Sequence, residues 1–317
     1  MDDTVITAQA LASSFGEKES NFDKATRLLI DRANLRVEEV KGSELEELMV
    51  KIQHRIATDS QVIGAPERRQ TWQAGWKENL DELVSSGGRQ SSLIPKFIRP
   101  GQPIRWRQNF FIPEDPYLEL TYVAILRSWC AHKFFAHVAN VFEFGCGTGL
   151  NLVEFSKLFP HKKYHGSDFV ESAVAIVSEL SRNISSIVSA DVFDMLRPDS
   201  SYRVPSDSGV FTSGSLEQLR GDIDPIFDYF LQSGGEIFVH IEPEADFYDQ
   251  GNPVDMLAYR FQTKRGYTHG IAKKLRELEA TGRIQVLEAR RLYFGSLYME
   301  GYNLFVWRPT GRGKNVE

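Results

Sequence analysis

A glycine-rich turn constrains this chain more than any other stretch. Residues 140–149 read Asn-Val-Phe-Glu-Phe-Gly-Cys-Gly-Thr-Gly, so a mainly apolar run leads into glycines at alternate positions, Gly145, Gly147 and Gly149. The next ten residues carry apolar side chains at helical spacing. Glycine tolerates positive φ and allows a ligand to approach the backbone, and a helix start presents unpaired N–H groups. The stretch therefore predicts a strand, a ligand-binding turn and a helix.

The spacing of the glycines discriminates between ligands. The dinucleotide fingerprint G-x-G-x-x-G requires a glycine where this chain has Leu150, so a nicotinamide oxidoreductase is the least favoured reading. The pattern Glu-x-Gly-x-Gly-x-Gly, which begins at Glu143, resembles the first motif of class I S-adenosylmethionine-dependent methyltransferases. This resemblance implies S-adenosylmethionine (SAM) as the cofactor and S-adenosylhomocysteine (SAH) as its product.

The pattern after residue 140 predicts the fold class. Strand-like and helix-like segments alternate, which favours an α/β fold with a parallel sheet and helices on both faces. The last two strands follow each other without a helix and form an antiparallel pair. The order resembles the Rossmann-like seven-stranded methyltransferase sheet, whose final strand inserts antiparallel. The predicted strands are 141–144, 163–168, 187–191, 209–213, 236–241, 283–293 and 302–307.

The residues before the glycine turn carry a mainly helical pattern. Helices are predicted from residue 43, over 67–84 and over 117–136. We therefore expect a helical N-terminal extension at 1–135 that acts as a lid and contributes to the substrate site. A SAM-binding domain would span 136–310, and 311–317 would form a tail. A turn is expected near residues 64–66.

Two aromatic and basic segments of the extension invite a functional interpretation. Trp72 and Trp76 lie one helical turn apart and either pack in the core or form a stacking wall for adenine or substrate. Three prolines and a glycine within 93–107 predict a loop without regular structure. Its arginines would recognise a carboxylate or phosphate, or would lie on the surface over packed aromatic residues that include Phe97. These arginines are Arg99, Arg105 and Arg107.

Composition limits the partners and the cellular setting. The chain has 317 residues and a net charge of -6, so a nucleic-acid backbone is not an expected partner. Residues 212–215, Thr-Ser-Gly-Ser, also lack the Asp/Asn-Pro-Pro-Tyr pattern of enzymes that methylate base amino groups. Only two cysteines, no signal-peptide pattern and no long apolar run lead us to expect a cytoplasmic protein without a membrane span.

Acidic residues stand at three of the predicted strand ends, namely Asp168, Asp191 and Glu242. In an open α/β sheet, ligands bind beyond the carboxyl ends of the strands, near the switch in strand order. The resemblance implies that Asp168 holds the ribose, that Asp191 and the Val192 N–H contact adenine, and that Phe193 forms a wall. Asp168 could instead cap a helix, and Asp191 could form a turn.

The resemblance also assigns Glu143 to the loop and to the methionine amino group. The complete predicted cofactor set is Glu143, Gly145, Cys146, Gly147, Gly149, Asp168, Phe169, Asp191, Val192, Phe193 and Ser213.

Three residues are candidates for catalysis. His240 and Glu242 lie two apart on a strand and hence on one face, where His240 could act as a general base oriented by Glu242. Glu217, at the start of the following helix, could hold substrate or favour the helix N-terminus. A metal site would need Asp246 or His269 as a third ligand, and none is predicted; a purely structural histidine is the other alternative.

These observations together predict an enzyme of the SAM-dependent methyltransferase type. Its acceptor would be a hydroxyl of a polar small molecule or a sugar-like compound, in small-molecule or glycan biosynthesis. Methylation of carbon or nitrogen in a small molecule is an alternative, because it could proceed without His240. A non-catalytic SAM-binding partner subunit is a third possibility. The oligomeric state is not predicted.

Overall fold

The computed structural model describes residues 4–63, 67–96 and 98–311. The expected turn at 64–66, Phe97 and all of the predicted tail except Gly311 lie outside these ranges. The elements before the glycine turn are β1 (Thr4–Val5), α1 (Ala8–Phe15), α2 (Lys24–Arg32), β2 (Arg36–Glu39), α3 (Gly42–Thr58), α4 (Glu67–Ser85), β3 (Ile104–Trp106), β4 (Asn109–Pro113) and α5 (Leu118–Phe134).

The remaining elements build the main sheet and its covering helices. They are β5 (Asn140–Phe144), α6 (Leu150–Leu158), β6 (Lys163–Asp168), α7 (Glu171–Ser181), β7 (Ile187–Val192), β8 (Ser208–Ser213), α8 (Asp224–Gln232), β9 (Ile237–Glu242), α9 (Pro253–Arg265), α10 (Ile271–Ala280), β10 (Ile284–Arg290), β11 (Phe294–Gly295) and β12 (Asn303–Pro309). No helix within the described ranges has the length and apolar character needed to span a bilayer.

The main sheet confirms the predicted fold class. In the described part of the chain it has seven strands in the order β10-β12-β9-β8-β5-β6-β7. The pairs β8–β9, β8–β5, β5–β6 and β6–β7 are parallel, whereas β12 is antiparallel to both of its neighbours. The chain moves outward from β5 in one direction and from β8 in the other. The switch in strand order therefore lies between these two strands, next to the glycine turn.

A second, small sheet was not predicted from the sequence. Its order is β1-β2-β4-β3-β11, with antiparallel pairing throughout. The expectation that residues 93–107 contain no regular element was wrong, because β3 begins directly after Pro103. The strand is short and depends on pairing with β11, which is remote in sequence. The pairing joins the N-terminal extension to the C-terminal part of the chain, and the predicted boundary at residue 136 stays a prediction.

Two helices also differ from the predicted pattern. The helix that was predicted to begin near Glu217 is a 3₁₀ turn at Leu216–Leu219 followed by α8, because Arg220 and Gly221 take positive φ and break it. The helix α9 was missed within a polar, aromatic segment. Its start is marked by Asn252, whose side chain accepts the N–H groups of Val254 and Asp255 at 2.9 and 3.1 Å.

Apolar side chains fill both faces of the main sheet. One core contains Trp129 from α5, Phe155 from α6 and Ile176 from α7. The other is built from Phe227, Leu275 and Trp307, among other residues of α8, α10 and β12. The helix α4 lies against α7, contributes Trp76 and Leu83 to the first core, and reaches the end of the sheet that carries the glycine turn.

Candidate active site

The glycine turn is anchored to the neighbouring strand β6. Gly145, Gly147 and Gly149 have φ values of 72°, 51° and 72°, in the left-handed region that favours glycine. The N–H groups of Gly145 and Cys146 both donate to the Ser167 carbonyl, at 2.8 and 2.9 Å. Cys146 is a buried free thiol. The alternating glycines thus form a folded turn immediately beyond the carboxyl end of β5.

Asp168 ends β6 and faces this turn. Its Oδ2 accepts the Gly147 N–H at 3.0 Å, and its Oδ1 accepts the Val170 N–H at 3.1 Å. Burial raises the pKa of the carboxyl to about 6, although these backbone N–H groups oppose the shift. Each carboxylate oxygen keeps a lone pair that can accept a further hydrogen bond. The side chain therefore shapes the loop before α7 and can still accept ligand hydroxyls.

Glu143 presents an unsatisfied oxygen beside the turn. The side chain is buried, its Oε1 accepts from Asn151 Nδ2 at 2.6 Å, and its Oε2 has no hydrogen-bond partner. Burial raises its pKa to about 8, an effect that Asn151 and the positive charge of Arg127 partly offset. A buried carboxyl with an unused acceptor suits a cationic or N–H-bearing ligand group.

Sequence reasoning missed Arg127, whose guanidinium interacts electrostatically with Glu143. It lies on α5, is 6% exposed, and its Nε is buried without a hydrogen-bond partner. Burial lowers its pKa, against the attraction of Glu154 and Glu143. The signal available in the sequence was a single arginine inside an otherwise apolar helical face.

The residues predicted for adenine lie at the same edge of the sheet. In the β6–β7 register, Asp191 stands opposite Ser167 and Val192 opposite Asp168. The Val192 side chain is 54% exposed, whereas the Phe193 ring is buried, with its centroid 5.0 Å from that of Phe144. Phe193 is therefore a core residue at this point of the chain, and its contact with a cofactor stays a prediction.

Two further predicted cofactor residues flank this edge. Phe169 and Ser213 follow or end β6 and β8, and both are partly exposed. The Arg69 guanidinium lies 5.5 Å from the centroid of the Phe169 ring. The structure thus brings the predicted cofactor residues to one end of the sheet, around the switch between β5 and β8.

The helix α4 covers the glycine turn. A Cβ atom on Gly147 would lie 3.0 Å from Cζ2 of Trp76, which is 9% exposed. The Trp72 ring stacks on Trp76 with centroids 5.2 Å apart. The core-packing interpretation of Trp76 is confirmed, and its position over the turn leaves the stacking-wall interpretation as a prediction.

The general-base interpretation of His240 was wrong. The ring is fully buried, its Nδ1 lies 2.9 Å from Thr212 Oγ1, and its Nε2 accepts from the Trp307 indole at 3.0 Å. Burial lowers the pKa of His240 to about 3. Both nitrogens are occupied inside the core formed by α8 and β12, so no substrate can reach the imidazole. The structural alternative for this histidine is the one observed.

The catalytic interpretation of Glu242 was also wrong. This fully buried carboxylate accepts the backbone N–H groups of Ser215 and Leu216, both at 3.2 Å, and that of Glu217 at 3.4 Å. A hydrogen bond from Thr212 adds to these contacts, and burial raises the pKa of Glu242 to about 7. Glu242 thus fixes the 3₁₀ turn after β8 and thereby positions Glu217.

Glu217 is the catalytic candidate that faces a polar cluster. It is 8% exposed, and burial, together with the nearby Glu242 carboxylate, raises its pKa to about 8. The Gln218 amide bridges Glu217 to Arg68: its Nε2 donates to Glu217 Oε1 at 2.7 Å, and its Oε1 accepts from Arg68 Nη2 at 3.0 Å. Arg68 also lies over the Trp72 ring. A protonatable carboxyl and a guanidinium therefore share one end of the sheet with the glycine turn.

The metal alternative finds no support in the residues that the structure describes. None of their His, Cys, Asp and Glu side chains come together in a group of three that could hold an ion. His269 Nδ1 and Asp246 Oδ1 lie 3.8 Å apart, and both side chains are exposed, whereas His240 is fully buried.

The chain resembles several solved structures only distantly. No protein-family model matches the sequence, and no curated protein matches it. It is similar to the [4+2]-cyclase SpnF, with TM-score 0.49, 16% identity and coverage of 79% of this chain and 100% of that one.

Two further similarities have lower TM-scores. N,N-8-amino-8-demethyl-D-riboflavin dimethyltransferase (RosA) from Streptomyces davawensis gives TM-score 0.42 and 14% identity over 96% and 89% of the two chains. The 16S rRNA methylase ArmA gives a TM-score of 0.43 and 13% identity, over 74% of this chain and 97% of that one. At these values the matches identify neither family nor substrate, and the fold rests on the strand order itself.

Proposed function

We propose that this protein is a SAM-dependent methyltransferase that transfers the methyl group to a hydroxyl of a polar small molecule or sugar-like acceptor. One observation carries the proposal. The glycine turn and the Asp168 carboxylate meet at the switch in strand order, where an open α/β sheet binds its ligand. The failed dinucleotide fingerprint at Leu150 argues against a nicotinamide cofactor.

The orphaned polar atoms beside the turn fit the methionine end of SAM. Glu143 Oε2 is a buried acceptor without a donor, and Arg127 Nε is a buried donor without an acceptor. An α-ammonium group and an α-carboxylate would satisfy these two atoms respectively. We assign the amino-acid group of the cofactor to this pair, the ribose hydroxyls to Asp168, and the adenine to Asp191 and the Val192 N–H.

The chemistry would rest mainly on positioning. Bound SAM would supply a methyl group already activated by its sulfonium, so the protein aligns the acceptor and excludes water. A hydroxyl must also lose its proton, and Glu217 is the remaining general base after the exclusion of His240. Its pKa near 8 would make the carboxylate a strong proton acceptor once it is ionised.

The effect of replacing Glu217 distinguishes the proposed function from two alternatives. Methyl transfer to carbon or nitrogen of a small molecule would depend less on this carboxyl, and a non-catalytic SAM-binding subunit would not depend on it at all. A cytoplasmic setting and the exclusion of nucleic acid as a substrate are separate predictions, which rest on cysteine content and net charge.

Calorimetric titration of the purified chain with SAM, SAH and NAD tests the cofactor. We expect micromolar-range binding of SAM and SAH and none of NAD. Gly147→Val should abolish binding, because valine is strained at φ +51° and its Cβ would meet Trp76. Gly75→Ala is the matched control, since this helical glycine has nothing within 4 Å of an added Cβ. Binding of NAD without SAM would overturn the proposal.

A further inference from the structure

The cluster around Glu217 contains a cation without a carboxylate partner. Arg68 Nη2 bonds only to the neutral Gln218 amide, and Arg68 Nε is buried without a hydrogen-bond partner. Among the side chains that the structure describes, Arg68 forms no ion pair with a carboxylate, and its contact with Glu217 runs through the Gln218 amide. Burial lowers the pKa of its guanidinium, which means that the surroundings oppose its charge. A buried donor of this kind costs free energy unless a ligand satisfies it.

Neither of the neighbouring charged residues Arg265 and Glu217 forms an ion pair with Arg68. Arg265 is already neutralised: its Nε lies 2.7 Å from Asp59 Oδ2, and its Nη1 donates to the Tyr267 hydroxyl at 3.2 Å. Glu217, with a pKa near 8, is largely protonated at neutral pH and cannot balance Arg68. The Arg68 charge is thus free to pair with an incoming anion.

We propose that Arg68 binds an oxyanion of the acceptor, a carboxylate or a phosphate, and so holds the reacting hydroxyl beside Glu217. This assignment rests on the proposed function. The Gln218 bridge holds the guanidinium next to the carboxyl, and the guanidinium carbon of Arg68 lies over the Trp72 ring, 5.3 Å from its centroid. A guanidinium pairs with either oxyanion through two parallel hydrogen bonds.

The position of Arg68 gives an anion a route to it. The residue as a whole is only partly buried, near the start of α4, so part of its side chain is open to solvent. The arginines that the sequence suggested for this role are placed differently. Arg105 is buried and donates to the Val254 and Leu297 carbonyls, and Arg99 and Arg107 are exposed.

Two small anions and a neutral control test the assignment. Sodium benzoate, inorganic phosphate and benzamide are titrated into the full chain at constant ionic strength, with and without SAH. We expect saturable binding of benzoate, of phosphate or of both, and none of benzamide. The preferred anion identifies the class of oxyanion. Arg68→Gln should weaken that binding at least about tenfold, and Arg68→Lys should weaken it less, because lysine keeps the charge and loses the paired geometry.

The exposed Arg276→Gln on α10 is the matched control and should bind as the wild type does. Equal anion affinity in wild type and folded Arg68→Gln would overturn the inference, as would the lack of saturable anion binding to folded wild type. Arg68→Lys supplies the comparison if the glutamine variant does not fold. Anion binding that depends on Arg68 without any SAH binding would support the inference and contradict the proposed function. SAH binding without anion binding would contradict the inference and would leave the proposed cofactor in place.

Discussion

The indole N–H of Trp307 on β12 donates to Nε2 of His240 on β9 across 3.0 Å, inside the core. This bond requires a deprotonated Nε2, so the proton of the neutral ring lies on Nδ1 and is donated to Thr212 Oγ1, 2.9 Å away. The Thr212 hydroxyl in turn forms a hydrogen bond with the Glu242 carboxylate. A polar chain thus crosses β12, β9 and β8 and ends at the backbone that carries Glu217. These residues maintain the site from within the sheet.

Replacing His240 by alanine tests this structural role. We expect a loss of about 2–4 kcal/mol in the free energy of unfolding, because the variant leaves a cavity and an unpaired Trp307 N–H. SAH affinity and single-turnover rate of the folded fraction should stay within about threefold of wild type. The measurements are thermal unfolding, calorimetry and rapid quench on one preparation. A fall in rate of about 100-fold at unchanged stability would restore His240 as a base.

Removing the carboxylate at position 168 tests the ribose assignment. Asp168→Ala should weaken SAH binding by about 1.5–3 kcal/mol, the range for hydrogen bonds to a charged group. Part of this loss would come from the freed Gly147 N–H, so Asp168→Asn serves as a control that keeps one acceptor. Calorimetry gives the affinities, and circular dichroism checks the fold. Unchanged affinity in both variants would leave Asp168 with only its role in the loop before α7.

Truncating the buried arginine tests the amino-acid subsite. Arg127→Met should weaken SAH binding at least about tenfold, because the ligand carboxylate loses a charged donor. The same variant should bind 5′-methylthioadenosine, which lacks the amino-acid group, as tightly as the wild type does. An equal loss for both ligands would show that Arg127 acts on the fold rather than on the methionine group.

The pH dependence of Glu217→Gln separates catalysis from stability. The folded pKa of Glu217, about 8, lies above its ordinary value of 4.5, so the folded state binds the proton more tightly. The stability that this proton contributes is present below about pH 4.5 and is lost as the pH rises through about 8. Glutamine does not ionise. The melting temperature of Glu217→Gln should therefore equal that of the wild type near pH 5 and exceed it near pH 9.

The activity of the same variant moves in the opposite direction. Wild-type turnover should rise with pH toward about 8 as Glu217 ionises, and Glu217→Gln should lose about 10²–10⁴-fold at the plateau. Unfolding curves and single-turnover rates at matched pH values provide both readouts. A stabilised variant with full activity at high pH would exclude Glu217 as the base.

The parts of the fold around the candidate site that follow from local sequence were predicted correctly, whereas the ligand contacts of its residues stay predictions. The glycine turn, its strand and its helix depend on neighbouring residues, and Asp168 follows from its position at a strand end. The antiparallel insertion of β12 was likewise visible as two adjacent strands without a helix. These features need no knowledge of what packs against them.

The misassigned parts depend on contacts between distant segments. His240 sits on the predicted strand and the predicted face, and only the packing of Trp307, 67 residues later, turns that position into core. The small sheet needs β3 to meet β11, nearly two hundred residues apart in the numbering. The unpaired states of Arg68 and Arg127 are properties of the folded surroundings, so residue type alone gives no sign of them.

A crystal structure of the chain with SAH measures the central claim most directly. The account predicts ligand density at the glycine turn, with ribose hydroxyls on Asp168, the amino group on Glu143 Oε2 and the carboxylate on Arg127. Trp76 of α4, which covers the glycine turn, would lie against the bound SAH. An SAH-soaked crystal with no ligand at this turn, or with SAH bound at another site, would contradict the account.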